Sequence, residues 1–204
     1  MQNEIHTFKA TLRTLYKHKR AQLLPQQVTE KSIKINQNFL QNLLPKIQAK
    51  FPHATFSLYI SDGAEVLTGL IAQHFINSKI IFSYPKIINK NFHLEFVQSQ
   101  QNQLFEPNKF YPKILEPKDG NKILPDILIM PLLAFDQDLN RLGMGGGFYD
   151  RTIEFLKSNK KIITIGLGYD FQSATLLLPR AKTDRSLDFI VSESKIISGH
   201  HVSL

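Results

Sequence analysis

The chain has 204 residues, no cysteine and a formal net charge of +8. This length suits one domain, residues 1–204, and a hydrophobic fraction of 42% argues against disorder. Without cysteine, the protein has no disulfide, no thiolate nucleophile and no cysteine-ligated metal. Because no apolar run approaches the ~20 residues of a membrane span and no signal peptide is apparent, we expect a soluble cytoplasmic protein without a membrane partner.

The first half of the chain predicts helices followed by short strands. A helix is expected over residues 5–24, where an apolar stripe runs beside a basic one, and Pro25 should end it. A second helix is expected over residues 30–50, kinked or divided at Pro45. The elements that follow are a strand over 55–60, a helical segment over 66–76, strands over 79–83 and 93–98, and a long loop over 99–121.

The second half predicts strands that alternate with helices. The apolar run 126–130 is typical of a strand buried on both faces of a parallel sheet. A glycine-rich loop follows, then a helix over 149–156 and strands over 161–167 and 188–191. This order predicts an α/β fold, a Rossmann-like three-layer α/β/α sandwich with a mostly parallel central sheet. Since ligands bind beyond the carboxyl ends of such strands, Glu65 and the glycine-rich loop should approach one crevice.

The segment RLGMGGGFYDR, residues 141–151, is the most informative part of the chain. Four glycines in five positions leave backbone amides free to approach a ligand, and an arginine at each end can bind phosphate oxygens. Asp150 can hold a magnesium ion. No Gly-Lys-Ser/Thr follows, so this is not a P-loop, and Phe148 stands where a dinucleotide fingerprint has its third glycine. A simple strand-to-helix turn would not explain the flanking charges.

Five segments, in this order, carry motifs that belong together. They are residues 9–13 (KATLR), 59–68 with Glu65, 115–117 (LEP), 131–151 (PLLAFD and then RLGMGGGFYDR) and 183–188 (TDRSLD). Together they resemble the signature of the 5-formyltetrahydrofolate cyclo-ligase family, also called methenyltetrahydrofolate synthetases. The chain departs from the family pattern at Phe148, which replaces a tyrosine, and at Thr183, which replaces a histidine.

The resemblance implies a reaction and the residues that perform it. The reaction is the ATP- and Mg²⁺-dependent conversion of 5-formyltetrahydrofolate to 5,10-methenyltetrahydrofolate, with release of ADP and phosphate, through a phosphorylated formyl group. The implied ATP contacts are Lys9, Ala10, Thr11, Leu12, Arg13, Arg141, Leu142, Gly143, Met144, Gly145, Gly146, Gly147, Phe148 and Tyr149. The implied folate contacts are Arg13, Ile60, Glu65, Met144, Gly145, Gly146, Gly147 and Phe148. Arg141 and Tyr149 are the predicted catalytic residues, and Asp150 and Asp184 the predicted magnesium ligands.

The basic stripe of the first helix leaves an alternative open. Lys9, Arg13, Lys17 and Arg20 fall on one helix face. Such a face could bind nucleic-acid phosphates, line a pocket for an anionic small molecule or be simply solvated. No zinc-finger spacing or aromatic RNA-binding signature accompanies it, so we expect no nucleic-acid partner.

The expected partners are ATP and the folate, with or without a polyglutamate tail, and we expect a monomer. The alternatives are a non-catalytic nucleotide- or RNA-binding protein on the same scaffold and a different ATP-dependent kinase or phosphatase.

Overall fold

A computed structural model describes residues 2–100 and 103–199 of the chain. The adjacent histidines His200 and His201, in which the sequence shows no metal-binding or catalytic pattern, lie outside the described residues. The helices are α1 (Gln2–Ala21), α2 (Pro25–Asn38), α3 (Leu44–Lys50), α4 (Gly69–Asn77) and α5 (Phe148–Asn159). Within the described ranges, none of these helices is both long and apolar enough to cross a membrane.

The strands form one large sheet and two small ribbons. They are β1 (Phe56–Ser57), β2 (Phe82–Lys86), β3 (Glu95–Gln98), β4 (Phe105–Pro107), β5 (Leu115–Pro117), β6 (Ile127–Pro131), β7 (Ala134–Phe135), β8 (Arg141–Leu142), β9 (Ile163–Leu167), β10 (Phe189–Val191) and β11 (Ile196–Ser198). The seven-stranded sheet has the order β11-β10-β9-β6-β1-β2-β3. Its five inner strands are parallel, and the edge strands β3 and β11 are antiparallel to their neighbours.

The central strand β6 shows how the sheet is covered on both faces. Ile127 and Ile129 pack into one hydrophobic cluster with side chains of α2 and α4, whereas Leu128 and Met130 pack into a second cluster with α5. Successive residues of a strand point to opposite faces, so a strand buried on both sides needs an unbroken apolar run. The predicted three-layer α/β/α fold with a mostly parallel sheet is confirmed.

The two prolines of the helical region act as N-terminal residues of helices. Pro25 does not end α1, which stops at Ala21; it is the first residue of α2, where a missing amide hydrogen costs nothing. The predicted division at Pro45 is confirmed, because α2 ends at Asn38, a π-helical turn covers Phe39–Leu43 and α3 begins at Leu44. Proline cannot donate the amide hydrogen that would continue the regular helix.

Short β-elements depart from the sequence prediction. The region predicted as a loop over residues 99–121 contains the hairpin β4–β5, in which Glu106 lies opposite Glu116. Asn108 holds this hairpin: its side-chain amide donates to Glu116 at 2.6 Å and its oxygen accepts the amide of Tyr111 at 2.9 Å. The edge strand β11 and the ribbon β7–β8 were also missed, because strands of two or three residues carry too little periodic signal.

The ribbon β7–β8 positions the start of the glycine-rich loop. Buried Asp136 organises its turn, since its Oδ1 accepts the amides of Asp138 at 3.0 Å and Asn140 at 2.9 Å. Phe135 then pairs with Arg141 in the ribbon. The glycine-rich loop therefore leaves this ribbon, and not β6 itself, on its way to α5.

Candidate functional site

A cavity of about 930 Å³ lies between α1, the glycine-rich loop and the carboxyl ends of β1, β2 and β6. Its volume is near the upper end of the range of roughly 300–1,000 Å³ that small-molecule sites occupy. The predicted site residues that line it are Lys9, Arg13, Ile60, Glu65, Arg141, Leu142, Gly143, Met144, Gly145, Gly146, Gly147, Phe148, Tyr149, Asp150 and Asp184. The crevice expected beyond the strand ends is therefore present.

Three residues of the first motif do not line this cavity. Ala10 and Thr11 are exposed, and Leu12 packs beside Leu133 and Leu142 in a small hydrophobic cluster. The reason is the helical period, since residues 9 and 13 share a face of α1 while the intervening positions turn away from it. The assignment of these three residues as ATP contacts stays a prediction.

The basic stripe of α1 faces the protein. Lys9 is buried and forms an ion pair with Asp184, and the Arg13 Nε donates to the carbonyl of Gly143 at 3.0 Å. Arg20, in the last turn, is buried against Glu65. Lys17 alone among the four stripe residues is exposed. The stripe thus lies largely against the protein, and two of its four residues, Lys9 and Arg13, line the cavity.

The glycine-rich loop ends at the N-terminus of α5. Gly147 is the N-cap residue, with a φ of 67°, and Gly145 has a φ of 105°; both lie in the region that side chains with a Cβ rarely adopt. A Cβ on Gly147 would also lie 2.7 Å from the Nη1 of Arg151. The first amides of a helix have no partners within the helix and lie at the positive end of its dipole, so this loop and helix start can bind an anion.

Arg141 presents a fixed, buried positive charge. Its side chain is 4% exposed, and its Nη2 donates to Oδ1 of Asp150 at 2.9 Å. Its Nε is buried and has no hydrogen-bond partner among the described residues. The guanidinium lies 5.7 Å from the ring centre of Tyr149, and burial raises the pKa of that tyrosine well above its usual value. At neutral pH the site therefore combines a guanidinium with a protonated phenol that can donate a hydrogen bond.

Arg151, at the other end of the glycine-rich motif, has a different environment. Its Nε and Nη2 donate to the carbonyls of Phe92 and Lys90 at 3.0 and 3.1 Å, and its guanidinium lies 5.0 Å from the ring centre of Phe148. Because these donors already bind the backbone, Arg151 anchors α5 and the Phe148 ring. Arg141, by contrast, has no hydrogen bond to a backbone carbonyl among the described residues and pairs with Asp150.

Asp150 and Asp184 each combine a carboxylate with a basic partner. Asp150 Oδ1 accepts from Arg141 and also from the amide of Arg185 at 3.1 Å. Asp184 Oδ2 accepts from Lys9 and from the amide of Ala181, the latter at 2.6 Å. No cluster of three or more acidic or histidine side chains suited to a metal occurs in residues 2–100 and 103–199. Two carboxylates still fit magnesium, which takes one or two and completes its shell with water and phosphate oxygens.

Part of the cavity wall combines a buried carboxylate with aromatic and apolar side chains. Glu65, in the loop after β1, is 8% exposed, and burial raises its pKa. Ile60 lies in the same loop, and Phe148 meets Tyr111 edge to face at 5.9 Å between ring centres. Met144 remains half-exposed. Such a surface can hold a flat heterocycle between hydrogen-bonding and apolar groups.

Sequence reasoning missed two residues that contact this part of the wall. Tyr111 lies in the stretch predicted as a loop, and nothing local in the sequence indicates that it meets Phe148. Arg20 belonged to the basic stripe, but its contact with Glu65 spans 45 positions of the chain. The stripe provided a signal for Arg20, because a cation at helical spacing from Lys9 and Arg13 shares their face.

Comparison with known proteins is consistent with this geometry. Residues 5–193 match the model of the 5-formyltetrahydrofolate cyclo-ligase family. A 5-formyltetrahydrofolate cyclo-ligase of Haemophilus influenzae is 34% identical over 178 residues, which are 84% of this chain and 85% of the relative. One of Mycoplasma genitalium is 29% identical over 187 residues, 90% of this chain and 96% of the relative.

Two solved structures resemble the whole chain. The NMR structure of Aquifex aeolicus 5,10-methenyltetrahydrofolate synthetase has a TM-score of 0.77 and 24% identity, and the similarity covers 97% of this chain and 95% of that one. At this identity the likeness shows the fold alone. The 5,10-methenyltetrahydrofolate synthetase of Mycoplasma pneumoniae has a TM-score of 0.69 and 28% identity, covering 91% of this chain and 99% of that one.

Proposed function

Because the chain belongs to the 5-formyltetrahydrofolate cyclo-ligase family, we propose that it converts 5-formyltetrahydrofolate to 5,10-methenyltetrahydrofolate with ATP and magnesium. ADP and phosphate are the other products. The observation that carries the proposal is a single cavity whose lining combines two kinds of surface. Basic side chains and the glycine-rich loop suit a triphosphate and form what we call the phosphate end, whereas Glu65 and aromatic rings suit a pterin and form what we call the folate end.

The chemical problem is the formyl group, whose oxygen is a poor leaving group on a poorly electrophilic carbon. The formyl oxygen attacks the γ-phosphorus of ATP, the bond between this phosphorus and the bridging oxygen breaks, and ADP leaves. The lone pair of the folate N10 then attacks the formyl carbon and closes the ring. The carbon–oxygen bond breaks, phosphate leaves, and the N10 proton passes to solvent. The enzyme contributes chiefly alignment and neutralisation of charge.

Two ion pairs organise the phosphate end. In Lys9–Asp184 and Arg141–Asp150, each base neutralises an acid. We assign Lys9 and Arg141 to phosphate oxygens and the two aspartates to magnesium. This arrangement fits Mg-ATP, which combines negative phosphates with a positive ion. When bound there, magnesium neutralises phosphate charge. The amides of residues 145–147 complete the contacts to the phosphate that is transferred.

We assign Glu65 to hydrogen bonding with the pterin at the folate end. Its two oxygens offer about four acceptor positions, of which Arg20 and the Asp62 amide occupy two. The others can accept the amino group and ring N–H of the pterin. Phe148 provides a stacking surface for the rings of the folate. Unlike a tyrosine at this position, it has no hydroxyl that could add a hydrogen bond. Ile60 and Met144 add apolar contact.

Arg13 and Tyr149 serve the region between the two ends. Arg13 binds the carbonyl of Gly143 and leaves its remaining donors for the ligands. Tyr149 interacts electrostatically with both Glu65 and Arg141, and its protonated hydroxyl can donate to an oxygen of the phosphate that is transferred. We assign Arg141 and Tyr149 to catalysis for this reason.

One spectrophotometric assay tests the function. Purified protein is mixed with 5-formyltetrahydrofolate and Mg-ATP, and absorbance of the methenyl product is followed. Product should form only when protein, ATP and magnesium are all present. Protein that binds Mg-ATP but forms no product above the no-enzyme control would instead support the alternative of a non-catalytic nucleotide-binding protein.

We also propose that residues 1–204 act as one domain and as a monomer, in the cytoplasm, on folates with or without a polyglutamate tail. Light scattering during size-exclusion chromatography measures the mass of the particle, and a dimer mass would contradict the monomer. Turnover measured with substrates of increasing tail length tests whether the tail is accepted.

A further inference from the structure

A buried arginine lies behind the carboxylate that we assign to the pterin. Arg20 is in the last turn of α1, and its Nη1 is 3.4 Å from Oε1 of Glu65. The two side chains are 10% and 9% exposed. The other carboxylate oxygen accepts the amide of Asp62 at 3.1 Å. Glu65 lines the cavity, whereas Arg20 is not among the residues that line it.

The protonation state of Glu65 decides which partners it accepts. Burial raises the pKa of this carboxyl, and the charge of Arg20 lowers it. An ionised carboxylate offers only acceptors, which match the amino group and ring N–H of a pterin. A protonated carboxyl would instead present an O–H to one of these donors. Without a cation beside it, a carboxyl this deeply buried would tend toward the protonated and mismatched form.

The other groups around Glu65 cannot replace Arg20. Tyr59, Tyr149 and Tyr169 approach it from the loop after β1, from α5 and from the segment after β9, and burial raises the pKa of all three. They therefore remain neutral near pH 7. Asp62, in the same loop, adds negative charge that favours protonation of Glu65.

Two further charges lie beyond these tyrosines. Arg141 acts on Tyr149 and is paired with Asp150, and Glu193 acts on Tyr169 and is paired with Lys31. Arg141 forms no ion pair with Glu65 among the described residues, and Glu193 is itself an acid. The stabilising positive charge at Glu65 therefore comes from Arg20.

We propose that Arg20 is a positioning residue for folate binding, which holds the Glu65 carboxylate ionised and oriented toward the cavity. The inference rests on the proposed role of Glu65 at the pterin. It also assigns α1 to the whole length of the site: Lys9 reaches the phosphate end, Arg13 the region between the ends, and Arg20, about two turns beyond Arg13, sets the charge of the folate end.

The test is the pH dependence of folate affinity, measured by calorimetry without ATP between pH 6 and 9. Arg20→Gln removes the cation and raises the pKa of Glu65, so the ionised form is lost as pH falls through the new value. At pH 6.5 the Kd for 5-formyltetrahydrofolate should rise about ten-fold or more relative to the wild-type protein. The difference in Kd between Arg20→Gln and the wild-type protein should shrink as the pH rises to 9. Arg20→Lys keeps the charge and should follow the wild-type profile within a few-fold.

A matched control removes a comparable cation elsewhere. Lys31 pairs with Glu193 at 3.0 Å, and neither residue lines the cavity, so Lys31→Gln should leave folate affinity unchanged at every pH. ATP affinity should be unchanged in Arg20→Gln as well. A loss of folate affinity that is independent of pH and shared by Arg20→Lys would overturn the proposal, because it would indicate packing and not charge.

A double variant keeps the test decisive if Arg20→Gln does not fold. Arg20→Gln combined with Glu65→Gln leaves no unpaired buried charge, so it avoids the main cost of the single change. Its folate affinity should equal that of Glu65→Gln alone, and any additional loss would contradict action through Glu65. Unchanged folate affinity in Glu65→Gln itself would overturn the assigned pterin role, a different outcome from an Arg20→Gln variant with a wild-type profile, which would overturn only the role of Arg20.

Discussion

Replacing Arg141 with alanine tests the phosphate end of the cavity. The change removes a guanidinium that lines the cavity, is 4% exposed and is assigned to a phosphate oxygen. A hydrogen bond to a charged group contributes about 1.5–3 kcal/mol. At 1.36 kcal/mol for each factor of ten, kcat should fall by about one to two decades. The loss has this ceiling because Lys9 and the loop amides are also assigned to the phosphates.

The assay is formation of the methenyl product at saturating ATP and folate, together with folate affinity measured without ATP. Arg141→Ala should lower kcat while folate affinity stays near the wild-type value, since no folate contact is assigned to this residue. Arg141→Lys keeps the positive charge but lacks the planar guanidinium, so its kcat should lie between those of the wild-type protein and Arg141→Ala. Lys160→Ala is the matched control, because it breaks an ion pair of 2.8 Å with Asp126 at the opposite end of β6.

Two results would refute this reasoning. Normal kcat in Arg141→Ala would remove the residue from the mechanism. A matching loss in Lys160→Ala would show that kcat responds to any broken ion pair, and not to the charge at the phosphates. Thermal unfolding of each variant separates these outcomes from damage to the fold, since the loss of Arg141 also leaves Asp150 without its partner.

Glu65→Gln should raise the folate Kd about ten-fold or more, because a mispaired buried donor costs roughly 1–3 kcal/mol, while ATP affinity measured by calorimetry stays constant. Gly147→Ala should destabilise the protein by about 1–2 kcal/mol, since its φ of 67° disfavours a Cβ that would also contact Arg151; a melting temperature equal to wild type would contradict this. Asp150→Asn should increase the magnesium concentration needed for half-maximal turnover, and an unchanged magnesium titration would remove Asp150 as a ligand.

Local patterns in the sequence were sufficient for the elements that are long or chemically distinctive. The apolar run of β6 predicted a strand covered on both faces, and alternation of strands and helices predicted the parallel sheet. The glycine-rich motif marked the turn into α5, and the spacing of Lys9 and Arg13 marked one face of α1. These features depend on backbone conformation within a few residues or on a fixed period, so the sequence alone determines them.

Tertiary structure decided which charges meet and which functional groups face the cavity. Asp184 joins Lys9 across 175 positions and Glu65 joins Arg20 across 45, and no local period relates such residues. The same is true of Tyr111 and Phe148, which come together because Asn108 folds a hairpin from a stretch that resembles a loop. Residues distant in the chain meet only when the order of the strands and the packing of the helices are set. Burial and the neighbouring charges then determine the protonation state of each ionisable group.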